Sequence, residues 1–311
     1  NARGIPGVTN SEGAEASWGQ SQTTIASSNG FAKSRSDSRH SISVSVMAGE
    51  NTAMERDYDF ASAVYGEDLP SPAEIGRSAG EKAVARLNPK KVDSAKMPVV
   101  YDPRVANSLF GHLASAINGN AVTRGTTFLK DKLGEKIFSD AITIIDDPLR
   151  LRGLRSRSFD AEGIGTERRN VIDGGVLTTW IMDLRSARQL GLATTGHARR
   201  GPSSPPSPTT TNLYLQAGEM TPEVLMADIK AGFYITELMG FGVNGITGDY
   251  SRGACGFLIE NGEIAYPVNE VSIAGNLMDM YMNLTAANDL EFRYGIDAPT
   301  LRVEGMTVAG R

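Results

Sequence analysis

At 311 residues with 40% apolar side chains, the chain can bury a substantial core, as one large domain or two. Its 31 Lys plus Arg against 36 Asp plus Glu leave a net charge of −5, which excludes the electrostatic footprint of bulk nucleic-acid or anionic-membrane binding. A single cysteine excludes an internal disulfide, and no apolar run of about 18 residues could span a bilayer, so a soluble, cytoplasmic protein is expected. The opening Asn1-Ala2-Arg3-Gly4 has neither an initiator methionine nor a signal-peptide pattern, so an N-terminal region is expected upstream.

Residues 41–46 alternate polar and apolar, and the Asn29-Gly30 turn before them predicts a hairpin over 20–48. Ser71-Pro72-Ala73-Glu74 combines an N-cap, a proline at the first helical position and the glutamate of a capping box, which starts a helix that Asn88-Pro89 ends. After a short strand at 99–101, Pro103 opens a second helix whose Val105, Leu109, Leu113 and Ile117 form a core face. Residues 142–145 and 176–182 read as strands. Residues 194–211, rich in Gly, Pro, Ser and Thr, read as a mobile loop. Thr221-Pro222-Glu223 caps a helix that stops at Gly232. In the block 247–276, Asn261-Gly262 between apolar runs predicts two paired strands, preceded by a glycine-rich loop that holds Cys255. A last helix is expected over 273–287. The sum is an α+β fold with largely antiparallel sheets and a few packed helices, divided as 1–140 and 141–311.

Several chemical signals have plainer readings. Gly240-Phe241-Gly242-Val243-Asn244-Gly245 is a literal G-x-G-x-x-G, but it leads into Ile246-Thr247-Gly248-Asp249 and not into a helix N-terminus that could take a phosphate. Ser251 lacks a nucleophile elbow. Asp160 and Glu162 could pair as acid and base, and read otherwise as solvated turn carboxylates. Arg199 and Arg200 could clamp a peptide carboxylate from the long loop, beside His197, with Arg252 a further contact for peptide or partner.

Met54-Glu55-Arg56-Asp57-Tyr58, Phe110-Gly111-His112-Leu113, Thr126-Thr127-Phe128-Leu129-Lys130-Asp131, Phe159-Asp160-Ala161-Glu162-Gly163, Thr195-Gly196-His197-Ala198, Thr236-Glu237-Leu238-Met239-Gly240 and the 247–276 block together resemble the TldD/PmbA family, its PmbA (TldE) branch in particular. The likeness covers essentially the whole chain and corresponds to the central and C-terminal parts of a longer protein. It implies a zinc metallopeptidase system in which a TldD-type subunit carries the zinc and a PmbA-type subunit pairs with it to degrade or mature unstructured peptides. An older label for the family is modulator of DNA gyrase.

The TldD branch implies HExxxH on a helix and a later cysteine as third ligand. Two histidines one turn apart can face one metal, and the adjacent glutamate can act as general base toward its water. Here the helix reads Phe110-Gly111-His112-Leu113-Ala114-Ser115, with one histidine and no glutamate beside it. His40, His112 and His197 are the only histidines of the chain, and none shares a helical turn with another. No catalytic residue is therefore assigned. His112, His197 and Cys255 remain candidate metal ligands, each with a bland alternative: a packed histidine, a loop histidine and a small buried thiol. The expectation is a subunit with no cofactor of its own, zinc in a TldD-type partner, extended peptides as ligands and room for a homodimer in isolation. The alternatives are a metallopeptidase working alone through a composite site, and a regulatory binding protein for a gyrase-directed toxin or antitoxin.

Overall fold

A computed structural model describes residues 1–310, which form two compact units. The first comprises residues 1–90 with 266–269, the second 91–265 with the chain from 270 onward. The division therefore falls at Lys90 and Lys91, not near residue 140, because the strand and helices that follow Lys91 belong with partners far along the chain.

In the first unit, β1 (Val8–Ala26), β2 (Ala32–Ala48) and β3 (Glu55–Ala63) form an antiparallel sheet in that order. The expected hairpin turns at Gly30 (φ +89°), yet its first strand begins at Val8, well before residue 20. β3 pairs only with His40–Ala48 of β2, so the distal hairpin is a two-stranded arm exposed on both faces. α1 (Pro72–Ala85) packs on the sheet. Its capping box is complete: the Ser71 hydroxyl accepts from Glu74 N, and the Glu74 carboxylate accepts from Ser71 N. Ala79 and Ala83 of α1 meet Ala2, Val46 and Ala48 in the core. Gly80 admits this close approach, since a Cβ there would lie 2.8 Å from Ile5.

The second unit begins with β4 (Ala95–Tyr101), α2 (Pro103–Ala116) and α3 (Gly119–Thr123). It continues through β5 (Ile144–Asp146), β6 (Arg169–Asp173), β7 (Val176–Leu177) and α4 (Leu184–Leu190), then a short ladder of β8 (Ala198–Arg199) with β9 (Ser207–Pro208). β10 (Leu213–Leu215), α5 (Pro222–Met226), β11 (Ala231–Met239), β12 (Asp249–Glu260), β13 (Glu263–Asn276) and α6 (Leu277–Met282) follow. β14 (Leu284–Ala286), β15 (Ile296–Asp297) and β16 (Leu301–Ala309) complete it. One sheet has the order β15-β10-β5-β6-β7. The larger runs β13-β12-β11-β4-β16-β14, and an additional β13–β16 pairing closes five of its strands into a ring. Most ladders are antiparallel, as an α+β fold requires; β4 runs parallel to β11, and β10 to β15.

The α2 face expected to be core is buried, with Leu109, Leu113 and Ile117 fully enclosed. Asn261 (φ +52°) and Gly262 (φ +85°) form the predicted two-residue turn between β12 and β13. The Cys255 segment is ladder, not loop: Cys255 lies in mid β12 opposite Glu237. The last predicted helix is also shortened. β13 runs to Asn276, whose side chain accepts from Met278 N to cap a six-residue α6, and β14 occupies 284–286. Among the described residues no helix is long and apolar enough to cross a membrane.

Candidate functional site

A cavity of about 290 Å³ opens beside α2 in the second unit. Residues three or four apart share a helix flank, so α2 presents His112, Ser115 and Ala116 to it together. Thr126 and Phe128 form another wall, Arg252 enters from β12, and Leu277 stands at the start of α6. The loop after β11 supplies Phe241, Val243 and Gly245. This loop folds back tightly on β12: Ser251 N donates to Gly242 O at 2.6 Å, and a Cβ on Gly242 would lie 1.9 Å from Ser251 O. The G-x-G-x-x-G glycines thus serve a close backbone approach around a cavity. A wider depression of about 680 Å³ shares Thr126, Phe241, Val243 and Gly245 and continues past Ile246 to Asp249 and Tyr250.

The polar groups here are unusual in being unfulfilled. His112 Nε2, Arg252 Nε and the Tyr250 hydroxyl are buried without a hydrogen-bond partner among the described residues. Tyr250 is 1% exposed and meets the His112 ring edge-on at 6.0 Å. Its hydroxyl lies near Tyr101 and Arg252, and burial pushes its pKa up to about 12. Burial, and then the positive charge of Arg252, lower the His112 pKa below its ordinary 6.5, which favours the neutral imidazole at pH 7. No carboxylate pairs with Arg252 among the described residues.

Of the candidate metal ligands and peptide contacts, His112 and Arg252 line this cavity together with the Gly240–Gly245 segment. Cys255 is buried and in no disulfide, and it does not line the cavity. His197 is far from a mobile loop: it is 1% exposed, its Nε2–H donates to Asp146 Oδ2 at 2.9 Å, and its Nδ1 pairs with the Thr195 hydroxyl at 2.9 Å. That burial removes it as a peptide contact in this structure, and the surrounding 194–211 segment is anchored by the β8–β9 ladder and by Asp146, which accepts from Thr211 N. Arg199 and Arg200 are exposed there. Asp160 is a buried carboxylate and not a solvated one, whereas Glu162 is only partly buried. Asp160 is 1% exposed and accepts from the backbone of Glu162, Ile164 and Ala198, while Glu162 accepts from Leu184 N. These carboxylates tie loops together.

Zinc does not fit these residues. Among the described residues no three His, Cys, Asp or Glu side chains gather closely enough to hold a metal ion, which leaves the composite His112, His197 and Cys255 site without a basis. The uncompensated Arg252 charge beside His112 also opposes a dication.

Two family models match nearly the whole chain: the PmbA/TldA metallopeptidase central domain over residues 2–87, and the corresponding C-terminal domain over 94–310. The Escherichia coli O157:H7 protein named metalloprotease PmbA is 42% identical over 305 residues, which cover 98% of this chain and 66% of that protein. The chain therefore spans slightly less than two thirds of that relative's length. A crystal structure from Bacteroides thetaiotaomicron, named as a candidate modulator of DNA gyrase, superposes with TM-score 0.89 at 33% identity, covering 98% of this chain and 68% of that one. One from Thermotoga maritima, named likewise, gives TM-score 0.91 at 30% identity over 99% and 71%.

Proposed function

The chain belongs to the PmbA/TldD family, on its PmbA (TldE) branch, and on that footing we propose that the full-length protein is a subunit without its own zinc centre. It pairs with a TldD-type subunit that carries the zinc and helps to hold unstructured or extended peptides for cleavage. The observation that carries this reading is the content of α2. Where a zinc peptidase needs two histidines one turn apart and a glutamate, this helix offers the buried Phe110, then Gly111, a lone His112 and Ser115.

Peptides of varied sequence are best held through their backbone, by addition of a strand to an open sheet edge. The closed ring of the second unit has few edges to offer. β1, nineteen residues long and paired among the described residues only with β2, presents the longest open edge. Peptidase assays on the full-length protein with added zinc, alone and with a TldD-type subunit, test the proposal. Turnover is expected only from the pair, and zinc-dependent turnover by this protein alone overturns it. The metalloprotease name of the E. coli relative favours a second reading, an autonomous peptidase, and the same assay decides for or against it.

A further inference from the structure

The cavity beside α2 combines three things that a folded protein does not keep together without cause. Its walls are apolar, formed by Ala116, Phe128, Phe241, Val243 and Leu277. Two of its lining residues carry buried, unmatched polar atoms, Arg252 Nε and His112 Nε2, and the Tyr250 hydroxyl, also unmatched, belongs to the adjoining wider depression. Its one charge, the Arg252 guanidinium, has no counter-ion among the described residues. Buried donors without partners are uncommon in native proteins and call for a ligand or ordered solvent to complete them. An arginine in such a place selects carboxylate, because its fork of N–H groups matches two oxygens.

We propose that this cavity binds a carboxylate borne on an apolar stem, and that its ligand is the C-terminus of a peptide ending in an apolar residue. The carboxylate takes the Arg252 guanidinium as its donor. Neutral His112, as the tautomer with its proton on Nε2, donates to the second carboxylate oxygen, and the last side chain lies against Phe128, Leu277 and Val243. About 290 Å³ is at the lower bound of known small-ligand sites and suits one terminal residue. The wider depression along Phe241, Asn244 and Ile246 leads away from it and gives the preceding residues of the peptide an exit. Phe241, fully exposed at this mouth, offers a face for the penultimate residue. The one carboxylate on that path, Asp249, is already engaged by the Thr247 hydroxyl and the Asn276 amide. The choice of a peptide end over a free organic acid rests on the reading above; the carboxylate site itself rests on this chain alone.

The test is calorimetric binding to the full-length protein, without any partner subunit, of N-acetyl-phenylalanine, its amide, the peptide Gly-Gly-Phe and the peptide's C-terminal amide. The free-acid forms are expected to bind at least tenfold more tightly than their amides, and Gly-Gly-Phe more tightly than N-acetyl-phenylalanine. Arg252→Gln is expected to abolish the preference for acid while leaving the weak binding of the amides, and Arg252→Lys to restore part of it. As the acid binds, the His112 ring protons are expected to titrate at higher pH, since the carboxylate offsets the Arg252 charge. Equal binding of acid and amide, or an acid preference that survives Arg252→Gln in a variant with unchanged thermal unfolding, overturns the carboxylate site. Binding of the small acid with exclusion of the peptide overturns the assignment to a peptide end. None of these outcomes depends on the peptidase assay, so the pocket and the subunit role stand or fall separately.

Discussion

The second unit encloses two histidines in opposite ways. His197 is sealed, with both ring nitrogens bonded, and its partner Asp146 accepts from His197, from Thr211 N and from the Thr211 hydroxyl. His112 is half-buried, with Nε2 unmatched beside an unmatched arginine. The first cluster joins β5 to the segment before β10 and behaves as core: every polar group is satisfied, so removing one strands the rest. The second is costly to the fold, and a fold tolerates that cost where a bound molecule completes it. Saturation thus separates a histidine that holds the structure from one that is available for function.

The comparison is broken or sharpened most strongly at Asp146. Asp146→Ala leaves His197 and Thr211 unpaired in a fully buried site, and a loss of about 3–5 kcal/mol is expected in urea unfolding. A loss below about 1 kcal/mol would put both clusters on the same footing. Thr195→Val removes the hydroxyl that accepts from Met182 N and pairs with His197, with an expected loss of about 1–3 kcal/mol by the same measurement. His112→Leu should behave oppositely, lying between no change and a gain of about 1 kcal/mol, because it replaces an unmatched polar atom with an apolar one. A clear destabilisation there would reveal a partner for Nε2.

The smallest effect concerns pH. His112 has its pKa lowered in the folded state, by burial and then by Arg252, so below about pH 6.5 the unfolded chain takes up the proton more readily. The resulting stability is complete above the unfolded pKa and is lost as pH falls through the folded one. Unfolding midpoints should therefore drop more steeply below pH 6.5 in the parent protein than in His112→Leu. In Arg252→Gln, the His112 titration followed by its ring protons should move back up toward its ordinary value.

Much of the scaffold is written locally in the chain. Ser71-Pro72-Ala73-Glu74 and Asn261-Gly262 specify a helix start and a tight turn through their own backbone chemistry, and both form. β1 is hidden for the converse reason: exposed on both faces, it has no need to alternate, and Ser, Gly, Gln and Thr fill it. The 273–276 stretch has helical spacing but is claimed by a ladder, Ile273 pairing with Val308. His197 is concealed by the loop composition around it, since only the fold shows Asp146 reaching it from 51 positions away. The cavity is the least legible. Its walls come from α2, residues 126–128, the loop after β11, β12 and α6, and no window of sequence contains more than a fragment of it.

The ring of strands has a consequence in time as well as in space. β4 lies parallel to β11 and antiparallel to β16, with Val99 opposite Val303, a separation of about 200 residues. During synthesis β4 emerges early and must wait for almost the whole of the second unit before its last neighbour exists. The sheet of the first unit, whose strands follow one another directly, carries no such delay. Until β16 arrives, one edge of β4 is an open template for other chains, so the seconds before closure are when this protein is most exposed to aggregation.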